Sequence, residues 1–285
     1  MKILILGSKG QLGTALCDLY QKKKISFIGV DLPEFDITNQ GNLEKTIDQI
    51  NPNIIVNTFA YTNVKAAENE FAKAILINGV SLKRLSEICF QKNIFLCHIS
   101  TDYVFDGKKK TPYLEQDATF PINCYGISKE LGEKIIQNYC NDFIIIRTAA
   151  LYGKSKLHSE NVVDKLIQIA KISNEISVVD DEYTSPTFAE DLAHQIDVIL
   201  ENNVKGIVHA TSEGECNWYE FGKYIFQVLD MKVDIKKVKS QEFSSLLKKP
   251  HYSVLENAKL KSLKKNIMTN WKVSLIKYLE KNYKT

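Results

Sequence analysis

The chain has 285 residues, with 37 basic and 34 acidic side chains and a net charge of +3, and its lysines are spread along the length rather than gathered in one stripe. That balance argues against nucleic acid as a main partner, and the length suits one large domain or a main domain with a smaller lobe. Six cysteines occur with no C-x-x-C pair and no His/Cys cluster, so they read as reduced thiols and suggest neither a zinc site nor a disulfide framework.

The first residues form an apolar run rather than a charged segment followed by a signal core, and no later stretch reaches the ~18 apolar residues that span a bilayer. A cytoplasmic protein with no membrane partner is expected. In chain order, Ile3 to Leu6, Phe27 to Val30, Ile54 to Asn57, Ile94 to Ile99 and Phe143 to Arg147 read as buried parallel strands. Helical stretches starting near Gln11, Asn39, Ala67 and Asn123 alternate with them. The series predicts an α/β fold, a doubly wound parallel sheet of Rossmann type.

After Arg147 the rhythm changes. A loop from Tyr152 to Glu160 leads to a helix over Val162 to Lys171, a short strand near Ile176 to Val179, a helix from Thr187 to Leu200 and a strand over Gly206 to Ala210. The rest is rich in helix and lysine. Residues 1–151 and about 174–212 are expected to form the dinucleotide-binding domain, and about 152–173 with 213–285 a smaller C-terminal substrate lobe. No linker or repeat separates the parts, so they should share a tight interface.

Gly7, Gly10 and Gly13 are spaced G-x-x-G-x-x-G between the first strand and the first helix. Glycines there permit a tight turn and close approach of a pyrophosphate to the backbone, with the helix N-terminus facing the anion. Asp31 closes the second strand, where a carboxylate can bind the adenosine ribose hydroxyls. It leans towards NADH; Lys9, in the glycine loop, keeps NADPH open. Asp36 and Ile37 are further candidates, flanking the adenine.

Ser100 to Phe105 follows the fourth strand at the carboxyl edge of the sheet, where Thr101 can donate a hydrogen bond to a carbonyl oxygen. Tyr125 and Lys129 stand one helical turn apart. A phenol titrates near ~10, so it exchanges protons at neutral pH only if a fixed cation stabilises its phenolate. Tyr125 is thus the candidate proton donor, with Lys129 stabilising it and binding the nicotinamide ribose. His98 and His209 read as packed core, Trp218 and Tyr219 as core aromatics ahead of a base-stacking platform, and no His or carboxylate cluster calls for a metal.

With these motifs in place the chain resembles, end to end, the extended short-chain dehydrogenase/reductase family and within it the dTDP-4-dehydrorhamnose reductases. The resemblance rests on the glycine loop, Asn57 to Val64 with Ala67 and Glu68, Ser100 to Phe105, and Tyr125 to Lys129. It extends to Tyr113, Glu115 and Asp117, Pro121 and Asn123, Arg147 and Thr148, Pro186 and Thr187, and Lys249 and Pro250 with Ser253 and Leu255. It implies hydride transfer from NADPH or NADH to carbon 4 of a nucleotide-linked 4-keto-6-deoxysugar. By the same carry-over Gly10, Gln11 and Leu12 would meet the pyrophosphate. Ala60, Tyr61 and Thr62 would line the cofactor's path, and Thr101 and Asp102 would meet the sugar. A homodimer is the family expectation.

The match departs near the expected sugar pocket. Where these reductases carry a tryptophan after the Arg-Thr pair, the chain has Ala149 and Ala150, so Ala150 is a candidate substrate contact with a reshaped wall. Lys65 replaces an acid, Glu182 and Thr184 depart from the family's pattern, and Lys249 replaces an arginine. Two other readings stay open: a reductase or epimerase of another nucleotide sugar, and a non-catalytic dinucleotide-binding regulator resembling the regulatory subunit of methionine adenosyltransferase.

Overall fold

Short apolar runs with no polar position on either face can be buried only between two layers of helix, and the chain folds accordingly. The computed structural model describes residues 2–157, 160–243 and 247–284. Its main elements are β1 (Ile3–Leu6), α1 (Gln11–Lys23), β2 (Phe27–Val30), α2 (Gln40–Ile50), β3 (Ile54–Asn57), α3 (71–92) and β4 (Phe95–Thr101). There follow α4 (Cys124–Tyr139), β5 (Phe143–Thr148), α5 (Val162–Ile172), β6 (Glu175–Val179), α6 (Ala189–Glu201), β7 (Gly206–His209), α7 (Trp218–Val228), β8 (Asp234–Val238) and α8 (Trp271–Tyr283).

Six strands form one parallel sheet in the order β7-β5-β4-β3-β1-β2. Alternate residues of its strands face opposite layers. Ile3, Ile5 and Val56 pack with Leu12 and Leu16 of α1 and Leu192 and Ile196 of α6. Leu4, Leu6 and Ile55 pack on the other face with Leu43 of α2, Leu82 and Leu85 of α3 and Ile136 of α4. The order reverses between β1 and β3, and ligands of such sheets bind outside the carboxyl ends of the strands at that point.

Four expectations need correction. β2 is an edge strand, half open to solvent at Ile28 and Gly29. The helix expected from Ala67 is two pieces. A single turn, Val64–Ala67, is capped by the Asn63 side chain, and α3 then runs through a π-helical turn at Leu76–Val80. The strand near Ile176 to Val179, read with the Rossmann segment, pairs instead with β8, outside the six-stranded sheet. β8 itself was not foreseen: its sequence Asp-Ile-Lys-Lys-Val leaves three of five side chains in water and buries none fully. In the loop expected over Tyr152 to Glu160, residues 158 and 159 lie outside the described residues.

The second core gathers Tyr152, Phe188, Phe221, Trp271 and Tyr278, joining α5, α7 and α8. The six cysteines are free, and among the described residues no helix is long and apolar enough to cross a membrane.

Candidate active site

The cofactor end is built from the turn after β1. Gly7 has φ +80°, and a Cβ there would meet the Phe59 nitrogen at 2.7 Å; only glycine takes both constraints without strain. Gly10 donates its N–H to the Gly7 carbonyl at 3.2 Å and stands at the N-cap of α1 with no side-chain cap, so the first N–H groups of the helix stay open to an anion. A buried Gln11 Oε1 beside them has no hydrogen-bond partner among the described residues. The glycine turn and the open N–H groups, rather than this acceptor oxygen, suit a dinucleotide pyrophosphate.

Gly13 lets α1 close onto the loop: a Cβ there would sit 2.1 Å from the Gly7 carbonyl oxygen and 2.7 Å from the Ser8 Cα. Gly13→Ala is therefore expected to lift the helix N-terminus off the loop and weaken NADPH binding by about tenfold or more, read by fluorescence titration. Unchanged affinity in a folded variant would contradict this account of the loop.

Asp31 is buried, and its two carboxylate oxygens accept from the backbone N–H groups of Lys9 at 2.7 Å and Leu32 at 2.8 Å. The Lys9 ammonium goes elsewhere, to the Leu32 carbonyl at 2.6 Å and Glu34 at 3.0 Å. Asp31 thus straps the glycine loop to the end of β2 as well as facing the cleft.

The catalytic end depends on how α4 is seated. The Asn123 side chain caps it, accepting from the Gly126 N–H at 2.8 Å. A Cβ on Gly126 would lie 2.2 Å from the Tyr103 carbonyl oxygen, and one on Gly132 would lie 2.3 Å from that of Asn78. Two glycines on the inward face therefore let α4 sit close to the end of β4 and to the π-helical turn of α3. Asn78, in that turn, binds the backbone of Tyr61 through both its amide groups, at 2.8 and 3.0 Å. It also donates to Ser128 of α4 at 2.9 Å. The loop after β3 is thereby tied to the helix that carries Tyr125.

Burial pushes the Tyr125 phenol up to about 12, with a hydrogen bond to Thr101 acting the other way and the Asp102 charge adding to the rise. Thr101 Oγ1 donates to Asp102 Oδ1 at 3.0 Å and accepts from the Tyr103 N–H at 3.2 Å. The hydroxyl expected to polarise a substrate carbonyl therefore gives its hydrogen to Asp102 in the resting protein. Burial raises that carboxyl to about 6 despite hydrogen bonds from Ser253 and Thr101. Burial also lowers Lys129, to about 8, against the favourable charge of Glu133. Below the site Glu133 and Arg147 form a buried two-bond pair at 3.0 and 2.7 Å, and Ser100 donates to the same carboxylate.

One cleft of about 720 Å³ runs along the carboxyl edge of the sheet. Gly7, Gly10, Gln11, Leu12, Gly13, Asp31, Ala60, Tyr61 and Thr62 line its cofactor end, Thr101, Asp102, Tyr125 and Lys129 its middle, and Ala150 its far end. Asp36 and Ile37 are not among the lining residues. Asp36 accepts from the Thr38 N–H and hydroxyl, and the Ile37 side chain is sealed in the core. Lys65 also stays outside, on an exposed turn.

Sequence reasoning missed several lining residues. Asn161 and Val162 at the start of α5 carry no chemical motif that marks them, and neither does Tyr183. Glu182 and Lys249, noted separately as departures, meet each other at 3.3 Å, with Glu182 buried in the cleft wall. Trp218 lines the cleft and packs edge-on against Phe221, at the rim of the second core. Ala150 adopts φ +44°, a left-handed conformation uncommon outside glycine. Its short side chain leaves this wall of the cleft open. Among the described residues no group of three or more His, Cys, Asp or Glu side chains is arranged to hold a metal ion.

The family model described as RmlD substrate binding domain matches residues 1–284. The chain is 34% identical over 254 residues to the dTDP-4-keto-6-deoxy-D-glucose reductase of Streptomyces niveus, covering 88% of this chain and 87% of that protein. It is 31% identical over 306 residues to the dTDP-4-dehydrorhamnose reductase of Escherichia coli (strain K12), covering 100% and 99%. The crystal structure of dTDP-4-dehydrorhamnose reductase from Bacillus anthracis in complex with NADP superposes with a TM-score of 0.94 at 33% identity, covering 99% of each chain.

Proposed function

The chain belongs to the RmlD substrate binding domain family, and on that premise we propose that it reduces the 4-keto group of a dTDP-linked 6-deoxysugar for polysaccharide synthesis, with NADPH or NADH as reductant. The observation that carries the reading is the single cleft that joins the glycine loop to Thr101, Tyr125 and Lys129 and continues to Ala150, Glu182 and Trp218. A bound nicotinamide supplies the hydride. The open N-terminus of α1 would hold its pyrophosphate, and Asp31, which lines the same cleft, would meet its ribose. Tyr125 delivers the proton to the oxygen on carbon 4, Thr101 polarises that carbonyl, and the charge of Lys129 stabilises the phenolate left behind. We place the enzyme in the cytoplasm, in keeping with its six free thiols.

For the sugar, dTDP-4-dehydro-L-rhamnose is our first assignment, with dTDP-L-rhamnose as product. The small side chains of Ala149 and Ala150 and the Glu182–Lys249 pair give a second reading its footing: a 4-keto-6-deoxysugar of other stereochemistry, such as the one in the name of the Streptomyces relative. The test is oxidation of NADPH and of NADH, followed by absorbance with each sugar in turn. Turnover with dTDP-4-dehydro-L-rhamnose at least tenfold above the alternative is expected. Preference for the other sugar would move the assignment, and binding of cofactor without turnover on either would favour a non-catalytic regulator.

A further inference from the structure

The nitrogen of Lys129 is set by what β3 and β4 place beneath it. Nζ lies 2.7 Å from the Ile99 carbonyl oxygen and 3.3 Å from Nε2 of His98. The other ring nitrogen, Nδ1, lies 3.0 Å from the side-chain amide of Asn57. Asn57, His98 and Lys129 are all buried, so each hydrogen bond in this row must have one donor and one acceptor.

The direction of the row can be read from its outer end. The Phe59 N–H, which can only donate, reaches Asn57 Oδ1 at 3.1 Å. That turns the Asn57 NH₂ towards His98, and Nδ1 must accept. Burial holds the imidazole well below its ordinary pKa, so the ring carries one proton. With Nδ1 accepting, that proton is on Nε2. It points at Lys129, where two donors cannot share a hydrogen bond. Only a neutral amine has the lone pair to accept it, and an N–H of that amine then meets Ile99.

We propose that Asn57 and His98 act as a positioning pair that fixes the hydrogen-bond polarity at Lys129 and stabilises its neutral amine in the cofactor-free protein. The other groups facing this corner do not supply the same effect. Glu133, further along α4, favours the ammonium, but Arg147 of β5 and the Ser100 hydroxyl hold its carboxylate. Asp102, at the end of β4, acts on Tyr125 and is bonded to Thr101. Burial, opposed by Glu133, brings Lys129 to about 8, and the His98 N–H acts in the same direction as burial.

Two measurements test the pair, and only the second rests on the reductase reading. Nitrogen NMR of the protein with labelled histidine, with the His98 signals identified by their loss in His98→Gln, should show a neutral ring protonated on Nε2 across pH 6 to 9. An Nδ1-protonated or charged ring would overturn the proposal. The alkaline limb of kcat/KM for NADPH reports the cofactor-free protein. In His98→Gln the side-chain carbonyl can accept from an ammonium, so the limb should move up by about one pH unit. Asn57→Asp, whose carboxylate accepts from both Phe59 and Nδ1, should turn the tautomer and move the limb the same way. A lower plateau with an unmoved limb in both variants would mean mere structural damage and would overturn the proposal. The expected tautomer without turnover on any ketosugar would instead sink the reductase reading alone.

Discussion

Tyr125→Phe is expected to lower turnover by about 10²- to 10⁴-fold while leaving NADPH affinity within a factor of about two. On our reading the phenol protonates the reduced oxygen, and in the wall of the cleft burial pushes it up to about 12. In that range it holds its proton until a base forms beside it, which suits a donor that acts only as the alkoxide appears. Phenylalanine keeps the ring and its edge-on contact with Tyr103, centroids 6.0 Å apart, so the seat of α4 should survive. The pyrophosphate site we propose lies at the other end of the cleft, at Gly10 and Gln11. Stopped-flow turnover with a fluorescence binding titration separates the two effects. Turnover within threefold of the parent protein would remove Tyr125 from the mechanism, and lost binding would show that the hydroxyl supports the cofactor site rather than the chemistry alone.

The features legible in the sequence are those whose physics is local. Apolar runs such as Ile3–Leu6 and Ile54–Asn57 announce buried strands because no neighbour is needed to read them, and their observed bounds match. The glycine spacing and the one-turn step from Tyr125 to Lys129 are likewise properties of single segments, and the cleft brings both together. What stayed hidden depends on contacts between distant segments. β6 and β8 are separated by more than fifty residues, and a strand of sequence Asp-Ile-Lys-Lys-Val signals little until its partner is known. His98 reads as core because it is core. Its contact with Lys129 exists only because α4 crosses β4 at the distance that Gly126 and Gly132 permit. Glu182 and Lys249 were two unrelated departures in sequence and are one ion pair in space.

The largest effect on stability is expected from breaking the pair beneath the site. Glu133 and Arg147 are joined by two hydrogen bonds, at 3.0 and 2.7 Å, with side chains only 1% and 4% exposed. Arg147→Met leaves a carboxylate with the Ser100 hydroxyl as its remaining side-chain donor. Removing one partner of such a pair typically costs about 3–5 kcal/mol, because the survivor is a buried charge without compensation. Glu133→Leu leaves the guanidinium against the face of Phe105, 5.1 Å from the ring centroid, a contact that recovers only part of the loss. Replacing both together removes both charges from the interior, so the double variant should be more stable than either single one. Urea unfolding of the four proteins gives the coupling directly. If the losses simply add, the two groups are being satisfied by water rather than by each other. If they couple as expected, the pair can be exchanged for apolar side chains to ask what it does for catalysis. Glu133 sits one turn along α4 from Lys129 and its charge favours the ammonium, so a stable double variant should lose the alkaline end of its activity first.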